Sequence, residues 1–253
     1  MFEGDFMNPI ILIMVFSLLG SAGSLAGAYV LLVFPDRMRI ILIPSLISYA
    51  TGTLLASAFV GMIPKALMSA PSSSILLTVL GGMISFFLLE KLVIWRHCHV
   101  QGCEVHGNAG PLILLGDAFH NFVDGIVIAA AFLTSIPLGL TTAFAVIAHE
   151  IPQETGDFAI LVDSGYSKKN AFWYNFLSSL ATLPGSLIAY FWLKNAQNTI
   201  PYILAISAAS FIYIATADLI PHLHQKTDVR SGIVQFILLL CGVGTIMVFA
   251  TSH

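Results

Sequence analysis

The sequence predicts an all-α membrane protein with eight transmembrane helices, and its composition and hydropathy are the basis of this prediction. Of the 253 residues, 57% are hydrophobic and 9% are charged, whereas a soluble domain carries roughly a quarter charged residues. The mean hydropathy is +0.91. We therefore expect the lipid bilayer to surround most of the chain. The net charge of −3 indicates no nucleic-acid partner.

The apolar runs predict the helices in order. A helix needs about 20 mostly apolar residues to cross roughly 30 Å of hydrocarbon. The whole chain, residues 1–253, then forms one transmembrane domain. The eight runs of this length cover residues 8–34, 40–64, 73–95, 111–135, 138–163, 169–193, 200–221 and 231–250.

Local residue patterns support several of these helices. The first run contains GSAGSLAGA at residues 20–28, whose small side chains permit close helix packing. Prolines in the second, fifth, sixth and seventh runs can kink a helix and free backbone carbonyl groups. The short link LTSIPLG makes the fourth and fifth runs an antiparallel pair.

The distribution of Lys and Arg predicts the orientation in the membrane. Two of the ten, Lys65 and Lys194, fall at one set of alternate connections. The other connections carry Arg37, Arg39, Lys91, Arg96, Lys168, Lys169, Lys226 and Arg230. Since cytoplasmic loops are rich in Lys and Arg, we expect a multi-pass protein of the cell membrane with both termini outside. The longest loop, residues 96–110, is then cytoplasmic.

Ionisable side chains interrupt two of the apolar runs. Such groups cost several kcal/mol each at the middle of a membrane unless they pair, line water or hold an ion. The fourth run contains GDAFHNFVDG at residues 116–125, and the fifth contains HEIPQETGDF at residues 149–158. The antiparallel pairing brings both segments near each other.

Helical spacing sorts the polar residues into two faces. His120 and Asp124 are four residues apart, as are His149 and Gln153, so each pair lies on one helix face. Asn121 and Glu150 each follow one position later, rotated by roughly 100°, and can line a second pocket. Imidazole and carboxylate groups suit Zn²⁺ and other first-row divalent ions. The sequence therefore predicts a site for a divalent metal.

These motifs resemble those of the ZIP family of divalent-metal transporters. The resemblance is to the branch whose fifth span reads HEIPHELGDFAIL, and the segment FIYIATADLIPHL at residues 211–223 resembles the seventh span. It implies a ZIP-transporter-like bundle in which a four-helix transport block slides against a dimerising scaffold. It further implies import of Zn²⁺, or of Fe²⁺, Mn²⁺ or Cd²⁺, as the transported substrate and not as a cofactor. A homodimer is the implied assembly.

Residue by residue, the resemblance implies a centre with two metal positions. His120, Asp124, His149 and Gln153 correspond to the first position. Asn121, Asp124, Glu150 and Gln153 correspond to the second, with Asp124 bridging. Gln153 stands where relatives carry His or Glu, so a neutral amide replaces a strong ligand.

The predicted cytoplasmic loop has its own potential ligands. The segment HCHVQGCEVH at residues 97–106 combines His, Cys and Glu side chains densely enough to bind Zn²⁺ transiently. Its spacing matches no closed structural zinc site. A flexible polar loop that binds nothing tightly is the alternative interpretation.

Two other functions compete with metal uptake. An intramembrane zinc metalloprotease would use an HExxH helix with Glu150 as general base, but this chain has HExxQ and lacks the second imidazole. A metal exporter would use the same residues in the opposite direction. We expect a transporter and not an enzyme.

Overall fold

The computed structural model describes residues 8–97, 109–224 and 229–251, and every regular element in these ranges is helical. The prediction of an all-α fold is confirmed. The helices in the described residues are α1 (Pro9–Val33), α2 (Asp36–Ser69), α3 (Ser72–His97), α4 (Ala109–Thr134), α5 (Ile136–Asp163), α6 (Lys168–Leu193), α7 (Gln197–Leu223) and α8 (Val229–Thr251).

Seven of these helices are long and apolar enough to cross a membrane. The exception is α5, which spans 28 residues but carries the polar segment that begins at His149. The chain is therefore a multi-pass helical protein by length and composition. The count of eight spans remains a prediction.

Three helices widen into π-helical turns within their apolar length. These turns are Leu19–Gly23 in α1, Ser57–Met62 in α2 and Ile214–Leu219 in α7. In α6 the regular helix is interrupted between Ser179 and Thr182. π-helical turns, which close hydrogen bonds five residues apart, occur frequently at functional sites.

The predicted hairpin of α4 and α5 has a very short connection. Ser135 alone separates the two helices, and its hydroxyl oxygen accepts a hydrogen bond of 3.3 Å from the Leu138 backbone N–H. This side-chain cap satisfies one of the free donors at the start of α5. Pro152 lies further along α5 without ending the helix. The polar segments of α4 and α5 are therefore held beside each other.

The helices pack as two groups of four. One group contains α1, α4, α5 and α6, and the other contains α2, α3, α7 and α8; α2 against α5 is the most extensive contact between them. Within the first group α4 crosses α6 at backbone distance. A Cβ added at Gly125 would lie 2.1 Å from the Thr182 carbonyl oxygen, and one added at Gly185 would lie 2.2 Å from that of Phe122. Glycine is required at this crossing.

The buried fraction of residues differs between the central helix α7 and the peripheral helices α3 and α8. In the most apolar window of α7, 56% of the residues are buried, against 11% in those of α3 and α8. The exposed side chains of α3 and α8 are largely apolar, for example Leu77 and Phe236. Since the surface of a soluble protein would not present extended apolar helix faces, α3 and α8 form the apolar periphery of the bundle.

Candidate metal centre

The facing sides of α4 and α5 bring four potential metal ligands together. His120 and Asp124 lie one turn apart on α4, and His149 and Glu150 are adjacent on α5. One ligand atom from each of the four lies within 4.8 Å of all the others. We call these residues the four-residue cluster. Three of its side chains are buried, whereas that of His120 is 19% exposed.

Five of the six distances among the four ligand atoms lie between 3.2 and 3.7 Å. His120 Nε2 lies 3.2 Å from His149 Nε2, 3.7 Å from Asp124 Oδ2 and 3.3 Å from Glu150 Oε1. His149 Nε2 lies 3.3 Å from Asp124 Oδ2 and 3.6 Å from Glu150 Oε1. A regular tetrahedron with such edges has its centre about 2.1 Å from each corner, which is the distance at which Zn²⁺ binds imidazole nitrogen and carboxylate oxygen.

The ring of His149 is fixed in an orientation suited to metal binding. Its Nδ1 lies 2.8 Å from the Ala145 carbonyl oxygen. A carbonyl oxygen only accepts hydrogen bonds, so Nδ1 carries the hydrogen, and Nε2 of the neutral ring presents its lone pair to the cluster. Phe211 of α7 packs edge-on against the same ring, with the ring centroids 5.9 Å apart. Contacts from α5 and α7 therefore hold this ligand in place.

The carboxylates of the cluster lie beside the two histidine rings, with Glu150 Oε1 3.3 Å from His120 Nε2 and Asp124 Oδ2 3.3 Å from His149 Nε2. Neither carboxylate makes a hydrogen bond of good geometry, and the oxygens of both are buried. Burying a charged group without hydrogen bonds costs free energy, so carboxylates in this state are normally paired or bound to a metal. A divalent cation at the centre of the tetrahedron satisfies that requirement.

The structure places the other two predicted ligands beside this cluster. The amide nitrogen of Asn121 donates to Asp117 Oδ1 at 3.0 Å, and its amide oxygen accepts from the Thr182 hydroxyl at 3.0 Å. The amide nitrogen of Gln153 lies 3.5 Å from Asp117 Oδ1. Both amides therefore face Asp117, whereas Glu150 joins the two histidines. Whether any of the six residues binds a metal remains a prediction.

The polar face of α6 is absent from the predictions made from the sequence. Small polar side chains recur on that helix at the spacing of one helical face and are buried against α4 and α5. The resulting stripe supports Asn121 through Thr182. A search for polar residues with helical periodicity in the sixth run would have found it. Its members are Asn175, Ser178, Ser179, Thr182 and Ser186.

The potential ligands of the predicted cytoplasmic loop lie largely outside the described residues. This applies to residues 98–108, and no side chain from residue 92 to residue 112 is described. A metal-collecting role for residues 97–106 therefore stays a prediction.

The fold and the cluster define a multi-pass membrane protein with a buried cluster of potential metal ligands. A family model described as "ZIP Zinc transporter" matches residues 96–250. The chain is 31% identical to zinc transporter ZIP13 of Pongo abelii over 258 residues, which cover 92% of this chain and 77% of the relative. The chain belongs to the ZIP zinc transporter family.

Other relatives match a shorter part of the chain. Zinc transporter ZIP10 of Danio rerio is 35% identical over 146 residues, which cover 55% of this chain and 17% of the relative. Zinc transporter foi of Drosophila melanogaster is 36% identical over 140 residues, covering 55% of this chain and 20% of the relative. Family membership makes the chain a metal transporter and not an enzyme, with the metal ion as its substrate.

Proposed function

We propose that the chain transports Zn²⁺ into the cytoplasm and that the four-residue cluster binds the ion halfway across the membrane. The observation that carries this proposal is the convergence of the four ligand atoms, of which five of the six separations are 3.2–3.7 Å and suit a Zn²⁺ ion between them. The names of the relatives support zinc as the substrate. Because Fe²⁺, Mn²⁺ and Cd²⁺ accept the same ligands, we include them as secondary substrates.

In this proposal the protein ligands replace the water shell of the ion. The two imidazoles and two carboxylates offer four ligand atoms to the ion in place of water, in a region where the bilayer offers none. The carboxylates of Asp124 and Glu150 neutralise the double charge of the ion. Transport also requires release, so the site must exchange its ligands instead of closing permanently around the ion.

An open cavity runs from Gln153, beside the four-residue cluster, to one end of the bundle. It has a volume of about 820 Å³ and reaches from Asp36 at the start of α2 and His222 near the end of α7 to Gln153 on α5. The start of α2 and the end of α7 adjoin loops that the Lys and Arg distribution predicts to be cytoplasmic. With both termini outside, this cavity supports release toward the cytoplasm.

The two helix groups suggest how the site moves. α4 and α5, which carry the cluster, belong to the group that also contains α1 and α6. We assign this group to the sliding transport block and the group of α2, α3, α7 and α8 to the scaffold. The exposed apolar faces of α3 and α8 supply surface for the proposed homodimer and for lipid contact in the cell membrane.

Uptake into proteoliposomes tests the proposal. Purified protein should admit radioactive Zn²⁺, and His149→Ala should abolish that uptake because it removes a buried ligand. His224→Ala is the matched control, since His224 is exposed near the end of α7 and should leave uptake unchanged. Equal uptake by wild type and His149→Ala would refute the site assignment.

The same preparation separates the alternatives. Liposomes containing protein of one orientation should fill faster with a gradient directed from the outer to the cytoplasmic face than with the opposite gradient. Faster flux in the opposite direction would favour an exporter. Chelator-sensitive cleavage of a membrane-protein substrate would favour the metalloprotease instead.

A further inference from the structure

A pocket with several basic side chains opens between α1, α2, α5 and α6 at one end of the bundle. Its volume is about 730 Å³, which lies within the range of about 300–1,000 Å³ that small-ligand pockets occupy. Arg39 of α2 and Lys168 and Lys169 of α6 line it, and none of the described residues in its wall is acidic. We call it the basic pocket. Three of the ten Lys and Arg residues of the chain therefore meet in one place.

The positive charge of the basic pocket is only partly balanced. Arg39 donates a hydrogen bond to the carboxylate of Asp36, but the Asp36 side chain is 80% exposed, so water screens this ion pair. Neither Lys168 nor Lys169 forms an ion pair with a described side chain. The positive end of the α6 dipole adds to their charge, because α6 begins at Lys168. This arrangement favours an anionic ligand.

Aromatic side chains indicate that the basic pocket lies at the depth of the lipid headgroups. The rings of Tyr29 on α1 and Phe172 on α6 pack edge to face in its wall, with their centroids 5.8 Å apart. Trp173 and Tyr174 follow on α6 and are 49% and 42% exposed. Tyr and Trp concentrate where the membrane meets water. The connections beside the pocket, from α1 to α2 and from α5 to α6, are also predicted to be cytoplasmic, where the membrane surface carries anionic lipid.

The rest of the pocket wall is apolar or aromatic and includes Phe158 and Val162 of α5. Two of its lining side chains on α1, Tyr29 and Val33, are 55% and 70% exposed, so the pocket is open to the side of the bundle. A free phosphate would leave these apolar walls in contact with water, whereas a phospholipid brings acyl chains together with its anionic headgroup. The combination of basic and apolar walls therefore favours a phospholipid over a soluble phosphate.

We propose that Arg39, Lys168 and Lys169 hold the phosphate of one anionic phospholipid in the basic pocket. The acyl chains of this lipid lie against Phe158 and Val162. The site goes beyond the proposed transport of Zn²⁺ and does not depend on it. Arg39 belongs to the group of α2, α3, α7 and α8, and the two lysines belong to the group of α1, α4, α5 and α6, so the bound lipid contacts both groups. Arg39 also lines the larger cavity of about 820 Å³, which places the lipid beside that cavity.

Native mass spectrometry of the full chain, released from detergent micelles, tests this site with phosphatidylglycerol and with phosphatidylcholine of the same acyl chains. The wild type should bind one phosphatidylglycerol in preference to phosphatidylcholine, which has no net charge. Lys168→Gln/Lys169→Gln should weaken phosphatidylglycerol binding about tenfold. Lys65→Gln/Lys194→Gln is the matched control, because it removes two exposed lysines at the opposite ends of α2 and α6. It should change the binding less than about threefold.

Val162→Trp tests the pocket itself, because the larger side chain fills the space and leaves every charge in place. It should abolish the preference for phosphatidylglycerol, and a monodisperse peak on size exclusion checks that the variant folds. Glycerophosphoglycerol, which is the same headgroup without acyl chains, should not displace the lipid. The lysine variants provide the test on their own where Val162→Trp does not fold.

Four results would overturn the site. Equal binding of the two phospholipids would exclude selection by charge. Equal losses in the two lysine double variants would show a general attraction of basic residues for anionic lipid. Unchanged preference in folded Val162→Trp would place the lipid elsewhere on the chain. Displacement by glycerophosphoglycerol at a concentration similar to that of the lipid would identify a site for soluble phosphates.

Discussion

Glu150→Gln is the substitution that most sharply tests the geometry of the four-residue cluster. Sequence spacing assigns Glu150 to a second pocket, whereas the structure places its Oε1 3.3 Å from His120 Nε2 and 3.6 Å from His149 Nε2. Glutamine keeps the size of the side chain and removes its charge. The expected result is a large loss of zinc affinity, because one of four tetrahedral ligands becomes a neutral amide.

The size of the expected loss of zinc affinity in Glu150→Gln follows from the number of ligands. Four-ligand zinc sites bind with about 10–16 kcal/mol, so an equal share is roughly 2.5–4 kcal/mol per ligand. Since about 1.4 kcal/mol corresponds to a tenfold change in Kd, loss of a whole ligand would weaken binding by about 10²–10³-fold. The amide oxygen retains weak ligation. We therefore expect the lower limit, a weakening of about 100-fold.

A competition titration against a fluorescent zinc chelator, with the full chain in nanodiscs, measures this Kd. His120→Ala/His149→Ala provides the reference that lacks the buried site and so reports any zinc held elsewhere on the chain. Asp157→Asn removes an acid two turns further along α5 and should change Kd by less than threefold. If Glu150→Gln bound zinc as tightly as Asp157→Asn, Glu150 would not be a ligand, and the tetrahedral interpretation would be wrong.

Three further predictions use the same preparations. Gln153→His should tighten zinc binding at least tenfold and slow uptake, because it adds an imidazole one turn from His149; unchanged affinity would place residue 153 out of reach of the ion. Gly125→Ala should prevent folding, since the added methyl meets the Thr182 carbonyl oxygen at 2.1 Å, while Gly116→Ala on the same helix has open space and should behave as wild type in thermal unfolding. Uptake should need more zinc as the pH falls from 7 to 5.5, because protons compete for the ligands; a constant apparent affinity over this range would contradict ligation by histidine.

Much of the fold could be predicted from the sequence because the bilayer imposes simple rules. Apolar runs of about 20 residues must be helical, and the short link around Ser135 forces the fourth and fifth runs to be antiparallel neighbours. The spacing of His120 and Asp124 by one helical turn then places both on one face. These arguments need no knowledge of long-range packing, and the structure agrees with each of them.

The distribution of ligands between pockets could not be predicted in the same way. Spacing along one helix fixes which residues share a face, but it does not fix how the two faces are rotated against each other. The structure turns Glu150 toward both histidines, and it turns Asn121 toward Asp117 and Thr182. That rotation depends on the contact of α4 with α6, which the glycines at the crossing allow. The rotation of the two faces therefore depends on the packing of α4, α5 and α6 together.

A crystal structure of the zinc-loaded protein, with anomalous difference density collected at the zinc edge, tests the central claim most directly. The account predicts a peak about 2.0–2.2 Å from Nε2 of His120 and His149 and from one carboxylate oxygen each of Asp124 and Glu150. Strong zinc peaks elsewhere on the chain, with none among these four side chains, would contradict it.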